Sequence, residues 1–538
     1  MFLKERIKKS INFLEEIKCS FKSWSVAFLA LVSIRLLLEA IVLGFPERNL
    51  ESFLALLIHT FSFFLLTYLV FLIFLFYLTK EKITKIANFL LWGFWIIILP
   101  PIFDKLIFKE MLYKSFYIFD SPQGLMLRFF TFFGENPNWG ITWGTRINIL
   151  IALFFVTIYV YLKTKSIKKV FWAFFGGYGL FFILSCFPSI VVYFLEINNI
   201  QAVSYSTVAG YFMSPFSVFG LNGVVMESFL GRKLALVYIP LNFLFFFWLT
   251  FILDFKKMVC LIKNIRFPQM FFNLGILFIG LGLGWFYYPE NFSLNFFNLI
   301  VVFNLILMVF ASWFFSVLVN DIEDIEIDKI SNQKRPLVQK IISPKEILNL
   351  SLVFLFFSLI TAAIISPIFF LIIITYHLLT IVYSCYPFRL RRFVGVSNLL
   401  IALTSLNFLI IGFMVFSEKQ TLNRFPWLIY WFLFLGYFLI TPIKDLKDTI
   451  GDRKNKVITL PVLIGNKNTR TLIAILLFSF YLSSVYILKQ PNLFLPALLI
   501  GSINFFIVSG NKVSDRKINF WILGLVFVYG FFIVKIIF

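Results

Sequence analysis

Charge is scarce in this chain. Only 14% of its 538 residues are Asp, Glu, Lys or Arg, against about 25% in an average soluble protein. Histidine is nearly missing, with two residues, and cysteine is limited to four. Cys19, Cys186, Cys260 and Cys385 are scattered and form no CxxC pair, so neither a disulfide framework nor a zinc site is expected. His59 and His377 lie far apart inside apolar runs and read as core histidines rather than ligands. Any metal chemistry must therefore rest on carboxylates. What abounds is apolar side chains: 60% of the residues are hydrophobic, and 77 are Phe. That composition excludes a soluble globular fold, a disordered chain and a secreted disulfide scaffold. At about 20 residues per span, it sets a ceiling of roughly 16 membrane-crossing helices.

The apolar residues fall into runs near 25–45, 53–79, 88–104, 147–162, 170–195 and 234–255. They resume near 271–288, 296–319, 347–365, 367–385, 397–416, 426–443, 471–488, 493–509 and 518–537. The expected fold is an all-α polytopic membrane protein of about 15 transmembrane helices. Lys and Arg number 48 against 26 Asp and Glu, a net charge of +22. In a soluble protein this would suggest nucleic acid; here the excess collects on alternate loops. Lys80, Lys82 and Lys85, then Lys163, Lys165, Lys168 and Lys169, mark two of them, and Lys512, Arg516 and Lys517 the last. By the positive-inside rule these loops and the N-terminus are cytoplasmic, and nucleic acid is not an expected partner. Residues 105–146, with Lys105, Lys109, Lys114, Arg128 and Arg146, break the pattern and suggest interfacial helices. The expected division is an amphipathic cytoplasmic segment at 1–24, a membrane module at 25–255, a basic cytoplasmic linker at 256–270 and a second membrane domain at 271–538. The first segment carries too many charges for a signal peptide and suits a helix on the membrane surface.

Two acidic clusters stand out because acidic residues are otherwise few. The first reads NDIEDIEIDKISNQKRPL from Asn320, and the second KDLKDTIGDRKNKVITLPVLIG from Lys444. Asp321, Asp324 and Asp328 share the i, i+3, i+7 spacing of one helical face, and Asp445, Asp448 and Asp452 repeat it. Both clusters fall at the cytoplasmic end of an apolar run. Like charges so close require an intervening cation. Carboxylate oxygens suit Mg²⁺, which is commonly shared with substrate phosphates. Arg335, Arg389, Arg391 and Lys444 would complete a diphosphate site, and such a site makes ionisation of an allylic C–O bond feasible. For one cluster alone, an ordinary charged loop explains the pattern equally well. Two clusters of the same spacing on the same side do not fit that explanation.

At these residues the chain resembles the UbiA superfamily of membrane prenyltransferases. The first cluster is similar to that family's NDxxDxxxD motif, with Arg335-Pro336-Leu337 and Ile342–Glu346 following. The second is similar to its DxxDxxxD motif, followed by Arg453 and Thr459–Val462. The stretch YSCYPFRLRRFVGVSN from Tyr383 resembles the loop between them. Two positions depart from the family pattern: Ser331, where Asn is common, and Asn455, where Gly is common. The resemblance implies a nine-helix bundle, which agrees with the runs from 271 onward, preceded here by a six-helix module. It implies that Asn320, Asp321, Asp324 and Asp328 hold Mg²⁺ against a diphosphate, and that Asp445, Asp448 and Asp452 hold a second ion. It implies phosphate binding by Arg335, Lys444, Arg389 and Arg391. Tyr383 would face the allylic cation or the phosphate, with an interfacial anchor as the alternative.

The expected function is Mg²⁺-dependent transfer of a polyprenyl group from its diphosphate to a lipophilic acceptor within the membrane, releasing diphosphate. One rival is phosphoribosyl transfer to a polyprenyl phosphate on the same fold. The other is a transporter or scaffold without catalysis. The first 255 residues carry no family resemblance comparable to that of the second half, and a docking module, a lipid-handling module and a transport domain are all open for them. Arg35 and Glu39, four apart in the first run, read as a mutual pair, with a functional intramembrane charge as the alternative. Gly176, Gly177 and Gly179 read as close helix contacts, and Trp139 and Trp143 as interfacial anchors.

Overall fold

The computed structural model describes residues 2–43, 50–108, 117–134, 141–215, 217–222, 228–510, 513–515 and 517–537. Lys109, Lys114, Trp139, Lys512 and Arg516 lie outside the described residues. The architecture is all-α except for two two-residue strands, β1 (Ser217–Val218) and β2 (Leu221–Asn222). Among the described residues, 15 helices are long and apolar enough to cross a membrane. The chain divides into two compact units. One comprises residues 1–217, 222–255 and 295–304; the other comprises 218–221, 256–294 and 305–538.

In the first unit, α1 (Phe2–Glu16) precedes α2 (Phe21–Leu43), α3 (Leu50–Thr79), α4 (Ile83–Gly93) and α5 (Leu99–Leu106). Then come α6 (Pro122–Phe130), α7 (Trp143–Thr164), α8 (Ile167–Ser185), α9 (Phe187–Leu195), α10 (Tyr205–Met213) and α11 (Ser228–Leu253). The apolar run at 170–195 is thus two helices, because the chain leaves helical geometry at Cys186 and Pro188 starts the next helix. The N-terminal helix does more than lie on a surface. Glu15 is buried, accepting hydrogen bonds from Tyr159 Oη at 2.8 Å and Lys163 Nζ at 2.5 Å. A buried carboxylate is tolerable only with such partners. Arg35 and Glu39 pair at 2.5 Å, and Arg35 also donates to the Ile97 carbonyl at 3.0 Å. Both histidines are core residues: His59 Nε2 meets Tyr117 Oη at 2.6 Å, and His377 Nε2, in the second unit, meets Ser358 Oγ at 2.8 Å. A Cβ at Gly177 would lie 2.9 Å from Leu153 Cδ2, whereas one at Gly179 would meet nothing within 4 Å. Close packing therefore explains Gly177 but not Gly179. Trp143 carries the Arg146 guanidinium over its ring, 4.6 Å from the centroid.

The second unit contains α12 (Phe255–Lys263), so much of the basic linker is helical. Next come α13 (Phe267–Tyr287), α14 (Phe296–Glu323), α15 (Ile325–Ser331), α16 (Pro344–Ile365), α17 (Pro367–Ser384) and α18 (Val396–Met414). The unit ends with α19 (Trp427–Ile440), α20 (Thr449–Lys454), α21 (Leu460–Ile464), α22 (Asn466–Ile487), α23 (Phe494–Ser509) and α24 (Ile518–Ile537). The ISPKE segment is a helix start. Ser343 Oγ accepts from the Glu346 amide, and Glu346 accepts from the Ser343 amide, with Pro344 in the first turn. Lys257 then reaches Glu346 at 2.6 Å. Helices α13 and α18 meet backbone to backbone. A Cβ added at Gly412 would lie 2.5 Å from the Leu277 carbonyl oxygen, and one at Gly280 would lie 2.3 Å from that of Leu409. Neither neighbour can rotate away, so Gly412→Val must push the helices apart, and overpacking of this kind costs about 1–3 kcal/mol or more. The expected result is a marked loss of monodisperse protein by size exclusion in detergent. Wild-type yield and melting would contradict the close approach.

Candidate active site

Both acidic motifs are bent at their middle aspartate. The long helix α14 ends at Glu323, Asp324 adopts φ −101° and ψ 9°, and α15 begins at Ile325. In the second motif a 3₁₀ helix covers Thr441–Asp448, Asp448 adopts φ −104° and ψ 1°, and α20 follows. This corrects the expectation of two straight helical stripes. The i, i+3, i+7 spacing is present, but each face is broken at its centre: Asp321 and Asp328 share Arg335, while Asp324 turns to Arg391.

Those partners are cationic and mostly buried. Asp321 pairs with Arg335 and, at 2.5 Å, with Arg266, and accepts from Asn264 at 2.8 Å. Asp324 pairs with Arg391 and accepts from Asn320 at 2.7 Å. Asp328 lies 3.2 Å from Arg335. Arg391 also lies 3.6 Å from Asp452, so one guanidinium touches both motifs. Asn332 does the same through an amide: its Nδ2 donates to Asp328 at 2.9 Å and to Asp448 at 2.8 Å. Lys444 Nζ donates to Tyr383 Oη at 2.8 Å. Arg389 donates to Tyr386 Oη at 2.6 Å and to the Glu323 carbonyl at 3.2 Å. Burial pushes the Asp328 carboxyl up to about 6, against the pull of Arg335 and Asn332. Arg335 is held above its ordinary value, because Asp321 and Asp328 outweigh the effect of burial.

These residues rim a cavity inside the second unit that encloses about 1530 Å³, its open mouth included. Asn320, Asp324, Asp328, Arg335, Tyr383, Arg391, Lys444, Asp445 and Asp448 line it. Asp321, Asp452 and Arg389 are not in its lining; they stand behind it and hold lining residues by ion pairs. Beyond the charged rim the wall turns apolar, with Phe272, Trp313, Leu400, Ile401 and Val526. Three polar residues at the site were not expected from the sequence. Lys447 lies within the second motif, and only its being a lysine among aspartates could have flagged it. Arg266 ends the basic segment, with no local signal linking it to Asp321. Asn332 stands beside the position where the family pattern has Asn.

The donor set fits a hard cation. It is all oxygen, and Asp324 Oδ1 and Asp452 Oδ1 are buried without a hydrogen-bond partner, each with a guanidinium nitrogen, of Arg389 and Arg391 respectively, 3.6 Å away. Among the described residues no three His, Cys, Asp or Glu are grouped to hold a metal by themselves. Mg²⁺ ordinarily takes only one or two carboxylates, and substrate phosphates supply other ligands.

A model of the UbiA prenyltransferase family matches residues 276–523. The digeranylgeranylglyceryl phosphate synthase of Methanosphaera stadtmanae is 34% identical over 159 residues, 29% of this chain and 56% of that protein. The chain thus spans little more than half the length of that curated relative. The enzyme of the same name from Methanococcus aeolicus is 33% identical over 226 residues, 40% of this chain and 75% of the relative. The chain belongs to the UbiA prenyltransferase family. A solved UbiA homologue from Archaeoglobus fulgidus bound to DMAPP and Mg²⁺ aligns at 22% identity over 51% of this chain and 99% of its own, with a TM-score of 0.37. With 15 apolar helices of membrane-crossing length among the described residues, this UbiA-family chain is an integral multi-pass membrane protein.

Its departure from the UbiA pattern at Ser331 has a physical use. A Cβ on Gly451 would lie 2.5 Å from Ser331 Oγ and 3.0 Å from the Ile327 carbonyl oxygen. Small side chains at both positions let α15 and α20 touch, and Asn332, one residue on, joins the two motifs. Hydrogen bonds to charged groups contribute about 1.5–3 kcal/mol each. Asn332→Ala removes two of them and leaves two carboxylates facing one another. The expected result is a fall of about 10- to 100-fold in apparent Mg²⁺ affinity, read by metal titration of activity at saturating donor. An unchanged metal dependence would show that the bridge is incidental.

Proposed function

We propose that the second unit transfers a prenyl group from a prenyl diphosphate to a glyceryl phosphate lipid that already carries one prenyl chain, releasing diphosphate. The carrying observation is the cavity itself: both aspartate motifs and the basic loop converge on its rim, and its wall beyond them is apolar. Arg335, Arg391 and Lys444 bind diphosphate oxygens, while Asn320, Asp324, Asp328, Asp445 and Asp448 hold Mg²⁺, with Asp321 and Asp452 behind them. The metal supplies positive charge to the departing diphosphate. The apolar wall receives the prenyl chain and keeps water from the allylic carbon, so that the acceptor oxygen is the nucleophile at hand. Tyr383 fixes Lys444 and offers its ring and oxygen near the same carbon. Arg266 and Lys447 are cations beyond those expected for a diphosphate, and they favour an acceptor that carries a phosphate of its own. The names of the Methanosphaera and Methanococcus relatives point to the same class. By the distribution of Lys and Arg the site faces the cytoplasm, with residues 271–538 as the catalytic domain, 256–270 as its linker and 25–255 as an added membrane module.

The test is direct. Full-length protein in detergent with Mg²⁺ and geranylgeranyl diphosphate should release diphosphate on addition of geranylgeranylglyceryl phosphate, and at least about tenfold more slowly with the dephosphorylated acceptor, one charged contact being worth about 1.4 kcal/mol or more. Equal rates would refute the phosphate-bearing acceptor. Turnover only with phosphoribosyl diphosphate and a polyprenyl phosphate would replace the reaction, and no turnover with either donor would favour a scaffold.

A further inference from the structure

The first unit holds a cavity of its own, enclosing about 1060 Å³, its open mouth included. Its walls come from α3, α4, α7, α8 and the 3₁₀ turn after α4, and the lining is mostly phenylalanine and aliphatic. Phe71 and Phe181, packed at 4.5 Å, form part of the wall. Apolar cavities do not retain water, and these walls belong to helices that cross the membrane. Hydrocarbon is the filler that such a space accepts.

The few polar groups define the other end of the occupant. Among the described residues, Arg35 is the one charged side chain in the lining. It is 4% exposed, and its charge is answered by Glu39 at 2.5 Å. The lining therefore presents no net positive charge to a phosphate or diphosphate, in contrast to the catalytic rim with its Arg and Lys. Asn148 also lines the cavity, and its Oδ1 is buried without a hydrogen-bond partner. An acceptor of this kind calls for an O–H or N–H donor.

We propose that this cavity binds a long-chain lipid whose head is an uncharged hydrogen-bond donor, such as a prenyl or other lipid alcohol. The first unit is then a lipid-holding module with its own ligand, separate from the diphosphate site. The lining also provides a gentle way to fill the space. Gly93 is a lining residue in right-handed helical geometry, and a Cβ there would meet nothing within 4 Å. A larger residue at this position also has a better helix propensity than glycine.

The experiment uses full-length protein in detergent and native mass spectrometry, with geranylgeraniol and geranylgeranyl diphosphate as probes that differ only in the head. The expected result is one equivalent of bound alcohol that excess diphosphate does not displace. Gly93→Leu and Ala152→Phe, both facing the same lining, should weaken alcohol binding at least tenfold and leave diphosphate binding unchanged, which also reports that the variants are folded. Asn148→Ala should weaken the alcohol but not a hydrocarbon of equal length. Displacement of all the alcohol by diphosphate would overturn the proposal, and so would unchanged alcohol binding in both filling variants. Because the readout is binding, its failure leaves the prenyl-transfer reading standing, and the absence of transfer leaves this one standing.

Discussion

Asp324→Ala and Asp448→Ala each reduce diphosphate release by at least about 10³-fold while the protein still inserts and elutes as a single species. Each is the bend residue of its motif, and each faces the cavity. Removing one electrostatic group at such a centre costs about 10²–10³ in rate. A lost metal ligand adds the loss of the ion's charge at the departing diphosphate. The two sites are separated by 124 positions in sequence and are joined through Asn332 and Arg391. Loss from both variants is therefore a test of the two-motif site, not of one loop. Residual contacts keep the fold: without Asp324, Arg391 retains its ion pair with Asp452, and without Asp448, Asn332 retains its hydrogen bond to Asp328. Normal turnover in both variants would end the two-motif mechanism. Normal turnover in one would confine the metal site to the other.

Arg391→Ala is the second large effect. This guanidinium lines the cavity and touches Asn320, Asp324 and Asp452. Asp324 and Asp452 are 5% and 1% exposed, so deleting Arg391 leaves buried carboxylates with little compensation. Breaking a buried ion pair from one side costs about 3–5 kcal/mol, part of which a bound cation can restore. The expected outcome is a fall of about 10²- to 10³-fold in kcat/KM, with raised KM for the donor and a lower melting temperature that added Mg²⁺ partly recovers. Arg391→Lys keeps the charge but not the planar fork, so it should recover stability more than rate. Wild-type KM in the alanine variant would show that Arg391 serves the apo fold alone.

The architecture was legible because membrane helices write themselves as length and hydropathy: apolar runs of about 20 residues can satisfy their backbone in lipid only as helices. The candidate site was legible for a related reason. In a chain with few acidic residues, two aspartate triplets of identical spacing are conspicuous. Local order missed what spacing cannot encode. The 3.6-residue period assumes an unbroken helix, and both motifs bend where a carboxylate sits in the bridge region of backbone space. Arg266, remote in sequence from Asp321, could not be assigned to it from its neighbours. Asn332 was visible as the neighbour of the departure at Ser331, but not as the amide that joins the motifs. Glu15 read as part of a charged surface helix, and only Tyr159 and Lys163, far along the chain, make its burial possible.

The sequence by itself determined a membrane protein of about 15 apolar helices with two acidic clusters in its second half, because burial in lipid and the repulsion of clustered carboxylates are local demands. The tertiary structure decided which carboxylates line the cavity and which do not, and that a second, mostly apolar cavity exists in the first unit. Those facts depend on where helices distant in sequence bring their side chains. The scarcity of charge is what connects the two levels. In lipid each buried ion must find its counter-ion or a ligand, so the few buried charges mark either a paired structural contact, as at Arg35 and Glu39, or the candidate site.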